Sequence, residues 1–193
     1  MFGKLIGRTP KVIDQDEYRR FAVFVPVLPE SNSLLFEVRA DRLKRQPGEI
    51  CFPGGLIETG ETPAEAAARE LGEELLVPPE NCEILAPLDI LMDLRNSMIY
   101  PHIGYLHNYN GKFCQEEVKE VFSVPVDFFM KNKPQVFYNN VIVKTSEDFP
   151  YHLIGGENYD WHSGTYPVFF YSYNDKIIWG LTARIVNNLT TLL

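Results

Sequence analysis

Apolar residues fall in short runs along most of the chain. Phe21–Leu28 (FAVFVPVL) and Ser33–Arg39 (SLLFEVR) are rich in β-branched and aromatic side chains, and a Pro-Glu-Ser-Asn turn separates them. That pattern predicts two strands. Glu83–Leu94 and Met98–His107 predict two more, divided by Arg95-Asn96-Ser97. Val118–Val124, Gln135–Thr145 and Val168–Tyr173 complete a strand-rich reading. Two segments carry the helical period instead. From about Leu181 to Leu192, together with Ile178, apolar residues recur at Ile178, Leu181, Ile185, Leu189 and Leu192, which predicts a helix with one buried stripe. Trp179 is expected to pack that helix against the sheet. The other helix runs from Pro63 to about Leu75. Thr62-Pro63-Ala64-Glu65 forms a capping box with proline at the first helical position, so Glu65 has a local structural job.

That first helix raises a chemical question. Glu70, Glu73 and Glu74 crowd into little more than one turn. At about 100° per residue, Glu74 lies roughly +40° and Glu73 roughly −60° from Glu70, so the three share one stripe. Ala64, Ala67, Ala68, Leu71 and Leu75 occupy the adjoining arc, and the small alanines allow close packing on a sheet. Each like-charge pair costs about 0.2–0.5 kcal/mol on a solvated helix. A solvated polar face is therefore one reading. A divalent cation is the other, because Mg²⁺ and Mn²⁺ prefer hard oxygen ligands and these carboxylates sit at i, i+3 and i+4. The neighbours bear on the choice. Gly54-Gly55 read as positions with backbone angles closed to other residues, letting main chain approach a metal or a phosphate. Glu61 and Arg69 frame the intervening loop, and an arginine–carboxylate pair between them would lock that loop to the helix.

The stretch from Gly55 to Val77 resembles the Nudix hydrolase box, G-x5-E-x7-R-E-U-x-E-E-x-G-U, where U is a bulky apolar residue. Gly55, Glu61, Arg69, Glu70, Leu71, Glu73, Glu74 and Val77 fall in register. One position departs: Leu76 stands where the box has its last glycine. A left-handed conformation there costs leucine about 1–2 kcal/mol. The helix is therefore expected to end through Val77-Pro78-Pro79, since a residue before proline avoids helical angles.

The resemblance implies an α+β fold, a mixed β-sheet sandwiched between α-helices (α/β/α). The length suggests a single domain over residues 1–193, and the Gly-, aromatic- and acid-rich stretch at about 146–166 reads as a long loop that the resemblance does not cover. The resemblance also implies Glu70 and Glu74 as principal metal ligands, with Glu73 a third or water-bridged one, and Mg²⁺ or Mn²⁺ as cofactor. Glu61, Arg69 and Glu73 join the catalytic set, and Gly54 and Gly55 line the substrate. The general base is sought outside or at the edge of the box; Glu117 is the first candidate and Glu120 the second.

Three further stretches resemble the coenzyme A pyrophosphatase subgroup: Leu34–Gly55 (LLFEVRADRLKRQPGEICFPGG), Glu117–Met130 (EVKEVFSVPVDFFM) and Ile178–Leu189 (IWGLTARIVNNL). Gln46-Pro47-Gly48-Glu49 departs from the subgroup's usual histidine-containing version. The implied reaction is hydrolysis of the CoA diphosphate to 3′,5′-ADP and phosphopantetheine. ADP-ribose, dinucleotides and nucleoside triphosphates are the alternatives, and a non-catalytic nucleotide sensor is a further one. Arg39, Arg42, Lys44 and Arg45 form a basic cluster suited to the phosphates, or equally a solubilising loop.

Composition narrows the setting. Hydrophobic residues make up 45% of the 193, enough for a sizeable core, and the formal net charge is −8. That balance argues against a non-specific nucleic-acid surface. Cys51, Cys82 and Cys114 make no CxxC pair and suggest a reducing compartment, with the cytoplasm the simplest. No apolar run approaches the roughly 18 residues of a membrane span. The first 18 residues are too polar for a secretory signal, and the last residues, NNLTTLL, are not a peroxisomal SKL address. A homodimer is expected from family analogy alone. His102, His107, His152 and His162 lack metal-ligand spacing. Tyr159 and Trp161 suit a loop anchored by aromatics, or a stack on adenine.

Overall fold

The structure is a computed structural model that describes residues 2–9 and 12–193. Met1, Pro10 and Lys11, part of the stretch weighed as a secretory signal, lie outside the described residues. The main sheet is built from β1 (Arg19–Leu28), β2 (Ser33–Arg39), β3 (Ile50–Cys51), β4 (Gly54–Leu56), β5 (Cys82–Pro87), β6 (Leu91–Asp93), β7 (Ser97–Leu106) and β8 (Val118–Pro125). β1 and β7 run parallel and the other pairs are antiparallel, so the sheet is mixed.

One irregularity organises the molecule. β1 and β2 pair only at Val27–Leu34 and Leu28–Ser33 and then separate. The chain from Ile50 to Leu56 fills the gap. It pairs first with β2 through Cys51 and Ile50, then crosses to β1 through Gly54, Gly55 and Leu56. Between the two, Phe24 N–H donates to the Pro53 carbonyl at 2.9 Å, so the backbone groups exposed by the separation are met.

Side chains alternate across this sheet. Ala22, Phe24 and Leu35 face α1 (Pro63–Leu75) and pack with Ala66, Ala67, Leu71 and Leu75. Val25, Val27, Leu34 and Phe36 face the other way. They meet Phe129 of α2 (Val126–Lys131) and Ala183, Ile185, Val186 and Leu189 of α3 (Gly180–Leu192). That second layer also includes a small antiparallel sheet of β9 (Gln135–Val141), β10 (Gly164–Tyr173) and β11 (Lys176–Trp179), which contributes Tyr171 and Ile178 to the core. The fold is α+β with helices on both faces, one face being shared with strands. Among the described residues, no helix is long and apolar enough to cross a membrane.

Several sequence expectations are corrected. The single strand expected over Glu83–Leu94 is two, β5 and β6; the break follows a register shift between Ile84 and Ala86 and then Pro87, which has no N–H for the ladder. β10 begins at Gly164, so the end of the expected loop is strand. The rest of that loop is tied down by its own aromatics: Trp161 lies edge-on to Phe149 and Tyr159 at 5.5 and 4.9 Å between centroids. Trp179 does not clamp α3. It is 41% exposed and stacks on Phe170 across the β10–β11 pair. Leu192 is also exposed, at the last position of α3.

The end of α1 differs from expectation too. Leu76 does adopt the left-handed conformation, at φ 52° and ψ 41°. Burial of Val77, at 7% exposure, explains why: the turn must bring Val77 back to the α1 core while Leu76 stays 54% exposed. Leu76→Gly is expected to stabilise the protein by roughly 0.5–1 kcal/mol, since glycine adopts this conformation without the Cβ penalty. That raises the melting temperature by about 1–4 °C; an unchanged or lower value contradicts the strain.

Candidate functional site

α1 begins where the sequence places it. Glu65 N–H donates to Thr62 Oγ1 at 3.3 Å, and Thr62 N–H donates to Glu65 Oε2 at 2.8 Å. Glu65 is thus used locally. The other acidic residues of the helix lie farther along, against the place where β3 and β4 cross the gap.

Glu74 is 2% exposed, under the Gly54 N–H, which donates to its Oε2 at 2.9 Å. Arg69 organises the rest. Its Nε and one terminal nitrogen fork onto Glu61 at 2.7 and 3.1 Å. The other terminal nitrogen reaches Glu70 at 2.7 Å and Glu73 at 3.2 Å, while the nitrogen that bonds Glu61 also donates to the Leu56 carbonyl at 3.1 Å. These contacts engage all five guanidinium donors. The Gly54–Glu61 loop is thereby joined to the helix, and the Glu70 side chain is only 14% exposed. Glu73 is the outward member, 57% exposed.

The electrostatics follow from this packing. The Arg69 hydrogen bond holds the Glu61 carboxyl below the usual carboxylate range, and the same contact raises Arg69. Glu70 is pushed up because burial outweighs Arg69, with Glu73 and Glu117 adding to the rise. Glu74 is pushed up further, first by burial and then by the charge of Glu37, against the pull of the Gly54 N–H. Among the described residues, no three His, Cys, Asp or Glu side chains already enclose an ion-sized point. Glu70 is drawn to Arg69 and Glu74 to Gly54, so the stripe is held open from two sides rather than closed on one centre.

The glycines matter for a different reason from the one expected. Neither Gly54 nor Gly55 has a positive φ. Contact distance is what excludes a side chain. A Cβ on Gly54 would lie 2.5 Å from the Ala22 carbonyl oxygen, and one on Gly55 would lie 2.2 Å from Glu70 Oε1. The two substitutions should therefore separate. Gly54→Ala pushes on backbone and is expected to cost about 1–3 kcal/mol, lowering the melting temperature by several degrees. Gly55→Ala meets only the end of a flexible side chain, so it should move Glu70 while leaving the melting temperature within about 2 °C of wild type. Equal melting temperatures for the two variants would contradict the contact argument.

The remaining sequence candidates are distributed unequally. Glu117 lies in the turn immediately before β8 and is exposed, yet it acts electrostatically on Glu37, Glu70 and Glu74. Its loop is tied to the helix where Cys114 N–H donates to the Glu74 carbonyl at 2.8 Å. Glu120 is placed elsewhere: it pairs with Lys176 at 2.8 Å and is registered with Val38. Phe36 and Phe122, registered partners on the α3 side, show that this face of β8 turns away from α1. Arg39 lies at the end of β2, within electrostatic reach of Glu37 and Cys51, and its Nε is buried without a partner among the described residues. Arg42 is pinned to Glu116 at 2.7 Å and to the Gln115 carbonyl, and Arg45 and Lys44 are exposed on the β2–β3 loop. A cavity of about 480 Å³ lined by Asp89, Phe169, Arg184 and Asn188 lies on the α3 side, away from the acidic stripe.

The reading from sequence missed one component. Glu37 is completely buried in β2 beside this site, with the Cys51 thiol donating to its Oε1 at 3.2 Å. The available signal was an acid in the middle of an otherwise apolar strand, SLLFEV.

The family model described as NUDIX domain matches residues 18–140, well over half of the chain. The chain belongs to the Nudix family. Its box carboxylates are those just described on α1, and Nudix hydrolases are generally dependent on a divalent metal. Among relatives, the chain is 39% identical over 137 residues to the mouse peroxisomal coenzyme A diphosphatase NUDT7, covering 69% of this chain and 57% of that protein. It is 27% identical to Nudix hydrolase 3 of Caenorhabditis elegans, covering 97% of this chain and 79% of that one. The match thus spans little more than half of the mouse protein. A solved structure from Deinococcus radiodurans, DR0079, superposes with a TM-score of 0.50 at 19% identity over 64% of this chain and 76% of that one; this likeness concerns the Nudix fold alone.

Proposed function

We propose that this chain is a Mg²⁺- or Mn²⁺-dependent pyrophosphohydrolase acting on the diphosphate of coenzyme A or its acyl derivatives. The products are 3′,5′-ADP and (acyl-)phosphopantetheine. The observation that carries the reading is the acidic stripe fixed by Arg69 and Gly54 over the β1–β2 gap. Its donors are hard oxygens, Glu74 is buried and the Glu70 side chain nearly so, and the one guanidinium at the stripe bonds Glu70 but not Glu74, so a hard divalent cation fits them. When bound, such an ion screens the diphosphate charge and lowers the pKa of water from 15.7 toward about 7.

The chain's own residues take the following roles. Glu70 and Glu74 hold the metal, with Glu73 reaching it directly or through water. Arg69 and Glu61 keep the loop fixed, so that the Gly54–Gly55 backbone lines the substrate. Glu117 accepts the proton of the attacking water; its exposure beside the stripe suits it, whereas Glu120 is engaged by Lys176. Arg39 is the strongest phosphate candidate because its buried Nε lacks an acceptor among the described residues. Arg45 is open to a phosphate from the loop, and Arg42 reaches one by exchanging its contact with Glu116.

The CoA assignment is supported by the likeness to a protein named as a coenzyme A diphosphatase. It is tested by incubating the purified chain with CoA, acyl-CoA, ADP-ribose, NADH and dGTP in Mg²⁺ or Mn²⁺. The highest kcat/KM is expected for CoA or acyl-CoA. Preference for another compound removes the CoA assignment, and inactivity on all of them with metal verified removes the hydrolase reading. A single domain, a small-molecule rather than nucleic-acid or membrane partner, and a homodimer complete the proposal. The three free thiols fit a reducing compartment, the cytoplasm being proposed, although the mouse relative's name is peroxisomal.

A further inference from the structure

β2 is buried from Ser33 to Val38, and Glu37 is the only ionisable residue in that run. It is 0% exposed. Its register partner is Cys51 of β3, whose thiol donates to Oε1; among the described residues, Oε2 has no hydrogen-bond partner. An apolar residue of similar size would fill this position without removing a carboxylate from water. Its presence calls for a ligand.

The direction in which Glu37 faces is settled by its strand. Leu35, two residues earlier on the same face, belongs to the buried cluster that includes Leu71 and Leu75 of α1. Glu37 thus faces the α1 side, and it lies within electrostatic reach of Glu70, Glu74 and Glu117, with Arg39 the cation facing it. Arg69 is engaged by Glu61, Glu70, Glu73 and the Leu56 carbonyl, and makes no hydrogen bond to Glu37 among the described residues. The acidic stripe therefore has a second wall, supplied by the sheet, and that wall carries an unpartnered, completely buried carboxylate oxygen.

We infer that Glu37 is a further metal-holding residue of this site, its free Oε2 serving a hard divalent cation directly or through one water. This rests on the metal-dependent reading above and extends it from the helix to β2. A purely structural Glu37, held only by the Cys51 thiol, would bear on metal affinity only through its charge on Glu74. Removing that charge frees Glu74 for the metal, so a loss of affinity in the uncharged variant marks a ligand.

The experiment is a titration of the full chain with Mn²⁺, read from the electron paramagnetic resonance signal of the free ion. Glu37→Gln keeps the side-chain size and the Oε1 acceptor. It is expected to weaken Mn²⁺ binding at least about tenfold, or to remove one ion per chain, since even residues that only orient ligands change affinity about 10–100-fold. In EDTA the variant should melt no lower than wild type, while Mn²⁺ should raise its melting temperature less. Where the glutamine variant does not fold, Glu37→Met is used, and the same weakening is expected. Unchanged affinity and stoichiometry, within about twofold, beside a wild type that binds Mn²⁺ overturns the role of Glu37 alone. A wild type that binds no Mn²⁺ overturns the metal-dependent reading with it.

Discussion

Glu74→Gln and Glu70→Gln are each expected to lower turnover more than about 100-fold, a loss of about 2.7 kcal/mol in the reaction barrier. Changes to residues that merely orient a metal's ligands cost about 10–100-fold, and a direct ligand should cost at least that. The fold should survive both changes. Glutamine at 74 retains an oxygen acceptor for the Gly54 N–H and removes a charge from a site that is 2% exposed. Glutamine at 70 keeps an acceptor for Arg69, whose fork onto Glu61 is independent of it. Melting temperatures near or above wild type should therefore accompany the lost activity. Glu65→Gln is the control on the same helix. It keeps the capping box, because glutamine serves there as glutamate does, and should hold activity within about twofold. Similar damage at all three positions, measured as kcat/KM on CoA, would show that the acidic face has been assigned to the wrong side of the helix.

Removal of divalent metal with EDTA should suppress turnover by at least about 1000-fold, since the attacking water reverts from a pKa toward about 7 to one near 15.7. Added Mg²⁺ or Mn²⁺ should restore it. The same treatment has a consequence for stability. Glu37, Glu70 and Glu74 are all raised above the ordinary carboxyl value of 4.5, burial being the first cause in each. Between that value and their raised values, the folded chain binds protons that the unfolded chain has released. Stability must then fall as pH rises through this window. Glu61 and Glu65 are lowered, and they lose their contribution only as pH drops below the ordinary value, outside this window. In EDTA, the melting temperature is therefore expected to decline from about pH 5 to pH 8. Glu74→Gln should flatten that decline. Metal should stabilise the wild type more at pH 8 than at pH 5, because the carboxylates are then free of protons that compete with it. A melting temperature that is level or rises across this range in EDTA would refute the account of the buried carboxylates.

Much of the site was legible before any fold was known because the helix is a local object. Thr62, Pro63 and Glu65 set where it begins, and from that start the 3.6-residue period puts Glu70, Glu73 and Glu74 on one stripe and Leu71 and Leu75 beside it. The Arg69–Glu61 fork spans only eight residues and follows from the same register. Other local readings failed where tertiary packing overrode them. Leu76 takes the left-handed turn because Val77 must reach the core. Gly54 and Gly55 are required by a carbonyl from β1 and a carboxylate from α1, neither of which any sequence window around them contains.

By itself, then, the sequence determined the two main helices, most strands and the acidic stripe with its arginine, since each depends on hydrogen bonds and periodicities within a few residues. Only the tertiary structure decided what faces that stripe. Glu37 and Cys51 meet because β2 leaves β1 and accepts β3, Glu117 arrives through a loop bonded to the Glu74 carbonyl, and Glu120 is turned to the opposite side by the register of β8 with β2. Strand register is fixed by burial on both faces of the sheet at once, and that condition depends on residues far apart in the chain.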